Sequence, residues 1–224
     1  LSLGFSNLFA QNLEQIEALD LWATYYYVPV VNYDSSGIEL LNIQESSIGV
    51  KLDSSDWCNA ALQGTVYVKK NNAIIVLNYA GRSDSLQFDC RQCKKFKNYD
   101  GYTKTGKVLW KKSEGFGTGV KNYKLVPHKS IAVDHSVIPY GSVLYIPEAK
   151  GTTYQDVKGA KKIHDGYFFA ADTGSKINGK HIDAFIGQSQ KNPFQFVKSN
   201  SSKTFKAYVV SNPEKEMELK NLHQ

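Results

Sequence analysis

The sequence predicts a mainly β protein, a barrel or sandwich of short strands with short helices near its ends. Three observations carry this expectation. The chain of 224 residues has 14 Tyr and 11 Phe against a single Met, and aromatic side chains favour strands. Short runs rich in apolar and β-branched residues recur, as in "SIAV", "VLYI", "YFFAA" and "FKAYVV". Glycine and proline turns separate these runs.

The elements follow in chain order. Residues 11–20, "QNLEQIEALD", space Leu13, Ile16 and Leu19 as one face of a short helix. Residues 21–31, "LWATYYYVPVV", read as a strand with Pro29 near its end. "NYDSSG" supplies turn chemistry. The texture then changes from 38 to about 115. "DSSDWCNAALQG" predicts a short helix around Trp57–Leu62, with Asp53 to Ser55 as N-cap candidates. "TVYVKKNNAIIVLNYAG" reads as a hairpin turning at Asn71-Asn72. From 116 short strands resume, and Ile138-Pro139-Tyr140-Gly141 marks a turn between two of them. "DGYFFAAD" and "KHIDAFIG" are strands around "TGSKING", and "KTFKAYVVSN" is the last strand. "PEKEMELKNLHQ" starts on proline and continues with helix formers, so a terminal helix is expected.

The net charge of +6 at pH 7 favours an anionic partner. The basic residues are scattered, the densest cluster being Lys94-Lys95-Phe96-Lys97, and no nucleic-acid module appears, so nucleic acid is not expected as a partner. No apolar run approaches the ~18 residues of a spanning helix, so no stable membrane insertion is expected. "LSLGFSNLFAQ" reads as the end of an apolar leader or as a mature N-terminus, which points to export. The three cysteines are Cys58, Cys90 and Cys93. A disulfide from Cys58 to one of the CxxC pair, a metal site and free thiols all remain open.

The chemistry concentrates in three aspartates. Asp134 follows "SIAV", Asp172 follows "FFAA" and Asp183 lies in "HIDAF". Apolar neighbours imply burial, burial raises a carboxyl pKa, and a second carboxylate nearby raises it further. A proton donor at neutral pH needs that shift. The competing reading is that each carboxylate accepts backbone N–H groups and pins a loop. His181 precedes Asp183 by two residues, so on a strand the two share a face, which suits His181 as a partner of the acid or as a ligand. Gly174 and Gly179 in "TGSKING" suggest turns of positive φ rather than a phosphate cradle, because neither glycine-rich phosphate motif matches. No HxxxH or HExxH spacing supports a metal, and no GxSxG supports a serine hydrolase. Neither metal nor cofactor is expected.

At these residues the chain resembles the three-aspartate (3D) domain family, which occurs in membrane-bound lytic transglycosylase A and in small stationary-phase muralytic proteins. The resemblance rests on Asp134, Ile138-Pro139-Tyr140-Gly141, Asp172-Thr173-Gly174, Ile177, Gly179, Asp183 and Gly187, and covers about residues 125–210. "Thr24-Tyr25-Tyr26-Tyr27-Val28-Pro29" is similar to the family's opening strand, with Tyr25 where that pattern has glycine. The resemblance implies a double-psi β-barrel over 20–37 and 116–212, a smaller β subdomain inserted over 38–115, a lead-in over 1–19 and a tail over 213–224. It implies a lytic transglycosylase of the periplasm or cell exterior, working as a monomer on peptidoglycan glycan strands. The bond cleaved would be the MurNAc–GlcNAc β-1,4 linkage, leaving 1,6-anhydro ends. Asp183 would be the acid and base, assisted by Asp172 and Asp134. Thr24, Tyr26, Lys176, Lys180 and His181 would meet the substrate. The alternatives are a non-catalytic glycan-binding or wall-loosening module, and hydrolysis by two carboxylates.

Overall fold

The computed structural model describes residues 18–188 and 191–224. The helix expected over 11–20 falls outside them up to residue 17, while Leu19 and Asp20 already belong to β1 (Leu19–Tyr26). The chain forms two compact units. One ends at Tyr26 and resumes over Gly119–Gln224, and the other is Tyr27–Thr118.

The second unit opens with β2 (Val30–Asn32), β3 (Ile38–Leu41) and β4 (Ser47–Leu52). Val30–Asn32, expected to extend the first strand, instead pairs in parallel with β5 (Thr65–Lys70), because Tyr27–Pro29 interrupts the run. Between them lies α1 (Ser54–Gln63), capped by the Asp53 carboxylate, which accepts the N–H groups of Ser55 and Asp56. β5 turns into β6 (Ala73–Arg82) at Asn71 and Asn72, whose φ values of 47° and 62° suit a tight hairpin. A helical turn, α2 (Tyr102–Thr105), precedes β7 (Val108–Lys112), which pairs with β6. Trp57, Leu77 and Trp110 centre the apolar core. Cys58 pairs with Cys90 and joins α1 to the irregular stretch after β6, leaving Cys93 buried as a free thiol.

The first unit is a closed barrel. To β1 it adds β8 (Ser130–Ala132) and β9 (Val143–Tyr145). A small hairpin of β10 (Thr153–Gln155) and β11 (Lys161–Ile163) stands apart, and then come β12 (Tyr167–Asp172), β13 (His181–Phe185) and β14 (Phe205–Val210). The strand order is β1-β13-β8-β12-β9-β14, closing on β1. The pairs β1/β13 and β8/β12 are parallel, and the other four are antiparallel. Closure leaves the barrel no free sheet edge. The first five residues of β12 are all buried, so "YFFAA" runs without polar alternation. Phe168 and Phe169 lie in the core, where truncation of either to alanine would cost about 3–5 kcal/mol. α3 (Pro213–Leu222) is capped by Asn212 and buries Leu219.

Three histidines are part of this core. His164 donates from Nε2 to the His128 carbonyl and accepts the Gly166 N–H at Nδ1. His223 meets the Leu219 carbonyl and the Ser130 hydroxyl. Burial pushes His128, His164 and His223 each down to about 4, so all three are neutral at pH 7.

Candidate active site

The barrel's pairing puts two aspartates at one level. Ala132 of β8 is the register partner of Asp172 on β12 and also of Asp183 on β13. The two carboxylates therefore flank a single central strand, with backbones two strand spacings apart, roughly 10 Å. The register of β12 against β8 shifts between Ala170 and Asp172, a bulge that re-aims Asp172 where the strand ends.

β1 supplies a partner for each carboxylate. The Thr24 hydroxyl lies 2.7 Å from Asp183 Oδ1, and Thr24 is the register partner of Asp183. Two residues on, and on the same face, the Tyr26 hydroxyl donates to Asp172 Oδ2 at 2.8 Å. Asp172 Oδ1 accepts the Thr173 N–H at 2.8 Å. His181 is 7 % exposed and stacks on Trp22, with ring centroids 3.6 Å apart and an interplanar angle of 7°. Its Nδ1 meets the Lys176 carbonyl at 3.0 Å and its Nε2 meets Thr24 Oγ1 at 2.8 Å.

The electrostatics separate the aspartates. Burial raises Asp183 to about 7; Thr24 opposes the rise and the charge of Asp172 adds to it. Burial raises Asp172 to about 6 against the pull of the Thr173 N–H and the Tyr26 hydroxyl. Both carboxyls are raised and Asp183 the further, so Asp183 is the better placed of the two to hold a proton at neutral pH. An acid and a carboxylate on the two strands that flank β8 can protonate a leaving group and favour a developing positive charge beside it.

Asp134 behaves otherwise. Its Oδ2 accepts the Gly179 N–H at 2.7 Å, and its Oδ1 accepts both the N–H and the hydroxyl of Ser136. These donors, Gly179 first, hold its carboxyl down at about 2. Asp134 thus ties the loop between β12 and β13 to the turn after β8, and its geometry follows the loop-pinning reading.

A family model described as the 3D domain matches residues 129–195. The matched stretch includes Asp134, Asp172 and Asp183. No curated protein matches the chain. Among solved structures, MltA of E. coli with bound chitohexaose is similar at 17 % identity and a TM-score of 0.53, over 86 % of this chain and 72 % of that one. The membrane-bound lytic murein transglycosylase of Agrobacterium tumefaciens is similar at 13 % identity and a TM-score of 0.53, over 89 % and 76 %. At these identities the likeness speaks to the fold, which agrees with the mainly β barrel.

The expected site residues take different positions. The Thr24 and Tyr26 hydroxyls meet Asp183 and Asp172, and His181, expected as a partner of the acid or a ligand, meets Thr24 and the Lys176 carbonyl. Tyr26 is 8 % exposed and packs on Phe185, so it does not line an open groove. Lys176 and Lys180 are exposed in the loop, and their carbonyls accept from His181 and from the Trp22 N–H. Gly179 has the expected positive φ of 61°, whereas Gly174 is not among the positive-φ glycines. No group of three or more metal-ligating side chains occurs among the described residues. Sequence reasoning missed Trp22 and Gly119. A Cβ at Gly119 would collide with the Ala171 carbonyl and press on Asp172 Oδ1, so only glycine allows this backbone to lie against Asp172. Each of these two residues touches the site from a strand or loop far away in sequence, and no local motif marks either one.

Proposed function

We propose that the chain is a peptidoglycan lytic transglycosylase of the cell envelope, with Asp183 as its acid and base. The observation that carries this reading is a half-buried Asp183, bonded to Thr24 and raised to about 7, beside an Asp172 that is also raised, to about 6. The substrate is a glycan strand, cut at the MurNAc–GlcNAc β-1,4 linkage. Asp183 protonates the leaving oxygen. Asp172, as a carboxylate, faces the oxocarbenium-like charge that develops. Asp183, now ionised, takes the proton of the muramoyl C6 hydroxyl, which closes on C1 to give the 1,6-anhydro end. The nucleophile belongs to the substrate, so proximity favours closure and one carboxyl suffices for both proton transfers. Asp134 keeps the loop that carries Gly179 in place.

The likeness of fold to a transglycosylase solved with bound chitohexaose supports an oligosaccharide as ligand. In this reading the barrel unit, which ends at Tyr26 and resumes at Gly119, carries the chemistry, with Tyr27–Thr118 rather than 38–115 as the inserted subdomain, and the protein acts as a monomer. Mass analysis of digested sacculi tests it. Anhydro-ended muropeptides are expected. Products carrying the mass of one added water would make the protein a hydrolase, and intact sacculi with protein bound would make it a binding module.

A further inference from the structure

Asp183, Thr24 and His181 form a chain of three groups in which only certain proton arrangements satisfy every contact. His181 Nδ1 lies 3.0 Å from the Lys176 carbonyl, which can only accept, so Nδ1 carries a hydrogen. A neutral His181 then presents a bare Nε2 to Thr24 Oγ1 at 2.8 Å. Thr24 has one hydroxyl hydrogen and stands 2.7 Å from Asp183 Oδ1 as well. If the hydroxyl donates to His181, the Asp183 contact requires a proton on the carboxyl. If it donates to Asp183, the His181 contact requires a proton on Nε2. With neither proton present, one hydroxyl hydrogen faces two acceptors, and one short contact becomes a repulsion between lone pairs.

We propose that Asp183, Thr24 and His181 share one proton, and that His181, acting through Thr24, keeps Asp183 in its protonated form. His181 is a positioning residue here, since it reaches the reacting atoms only through Thr24. The inference rests on the assignment of Asp183 as the acid. In the resting arrangement Asp183 donates to Thr24, Thr24 donates to His181, and His181 donates to the Lys176 carbonyl. In the other arrangement the proton sits on Nε2. Moving it back breaks the Nε2–H bond, forms a new Oγ1–H bond, breaks the old one and forms Oδ1–H, with no other reagent. Trp22 stacks flat on the imidazole and fixes the plane that aims Nε2 at Thr24. Its π face also accommodates an imidazolium while the proton is there.

The surroundings favour the resting arrangement. Burial raises Asp183 and lowers His181, so both prefer to be neutral. The other ionisable groups acting on Asp183 are Asp172 from β12 and the Tyr26 phenol from β1, and neither supplies a cation. Thr24 lowers Asp183 when its hydroxyl donates to the carboxylate. His181 competes for that single hydrogen, which weakens the lowering and favours the acid; without His181 the hydroxyl is free to stabilise the carboxylate.

Titration of the Asp183 carboxyl carbon and the His181 nitrogens by NMR, without substrate, tests this in wild type, His181→Phe and Thr24→Ser. The expected results are a His181 tautomer protonated at Nδ1 at neutral pH, and an Asp183 midpoint about one pH unit lower in His181→Phe. Phenylalanine keeps the stack on Trp22 but removes the acceptor. Thr24→Ser keeps the hydroxyl and should keep the midpoint. An unchanged or raised midpoint in His181→Phe, or an Nε2–H tautomer in wild type, overturns the proposal. So does a midpoint that moves as far in Thr24→Ser. The wild-type tautomer decides the matter if His181→Phe does not fold. The titration needs no turnover, so it stands apart from sacculus digestion; if the midpoints move as expected and no muropeptides form, only the transglycosylase reading fails.

Discussion

Asp134 and Asp183 belong to one barrel, yet the turn after β8 and the middle of β13 treat a carboxyl in opposite ways. The turn offers Asp134 three donors, from Gly179 and Ser136, and its carboxyl falls to about 2. The strand offers Asp183 burial, one shared hydroxyl and a neighbouring carboxylate, and its carboxyl rises to about 7. The contrast shows that a shared motif does not confer a shared role. A carboxylate surrounded by N–H donors is committed to its charge and holds structure, whereas one deprived of donors can carry a proton.

Asp183→Asn breaks the comparison most strongly. It should lower formation of anhydro products by on the order of 10²–10⁴-fold. The same change should stabilise the fold at neutral pH. The folded carboxyl titrates at about 7 against an ordinary value of 3.8. Between those values the folded state holds a proton that the unfolded chain has released. Its contribution to stability is therefore full below about 3.8 and is lost as pH rises toward 7. Asparagine does not titrate, so the variant should gain about 4 kcal/mol over wild type near pH 7 and show little gain near pH 4. Denaturant unfolding at both pH values checks this. A variant that is destabilised at pH 7 would mean that Asp183 is a structural carboxylate like Asp134.

Asp134→Ala sharpens the other side of the comparison. Removing the anchor frees the Gly179 N–H and loosens the loop between β12 and β13. The melting temperature should fall at pH 7, and activity should fall by about tenfold through misplacement rather than through loss of the acid. Here the folded carboxyl lies below its ordinary value of 3.8, so its stabilisation is present above 3.8 and is lost as pH drops toward 2. The gap in melting temperature between wild type and variant should close over that window. A gap that persists at pH 2 would remove the anchor role.

The sequence made some of this visible and hid the rest for a physical reason. The hairpin at Asn71-Asn72, the Asp53 cap and the helix starting at Pro213 are local devices whose chemistry lies within a few residues. The aspartates in "FFAAD" and "HIDAF" stand out because carboxylates in apolar strands need an explanation. The contacts that Thr24 and Trp22 make depend on the parallel register of β1 against β13, which joins residues more than 150 positions apart, and that of Tyr26 depends on Asp172, 146 positions away. Gly119 was hidden for the same reason, since its small size matters only against Asp172. Asp134 looked equivalent to the other two because its donors, Gly179 above all, arrive through the fold.

Tyr26→Phe tests the comparison most finely, because it removes one donor from a carboxylate that lies between the two extremes. Asp172 receives two hydrogen bonds, from Tyr26 and Thr173, which hold it at about 6 against burial. Losing the phenol leaves Oδ2 without that donor and disfavours the charged form. The Asp172 midpoint should rise by about half a unit to one unit, read from the side-chain carbon in an NMR titration. Asp183 should follow in the opposite direction by less, since a protonated Asp172 no longer raises it. Stability should change by about 1 kcal/mol or less, because the ring still packs on Phe185. If the Asp172 midpoint falls or stays fixed, donors do not set the order of the three aspartates. Burial alone would then separate Asp134 from the pair on β12 and β13.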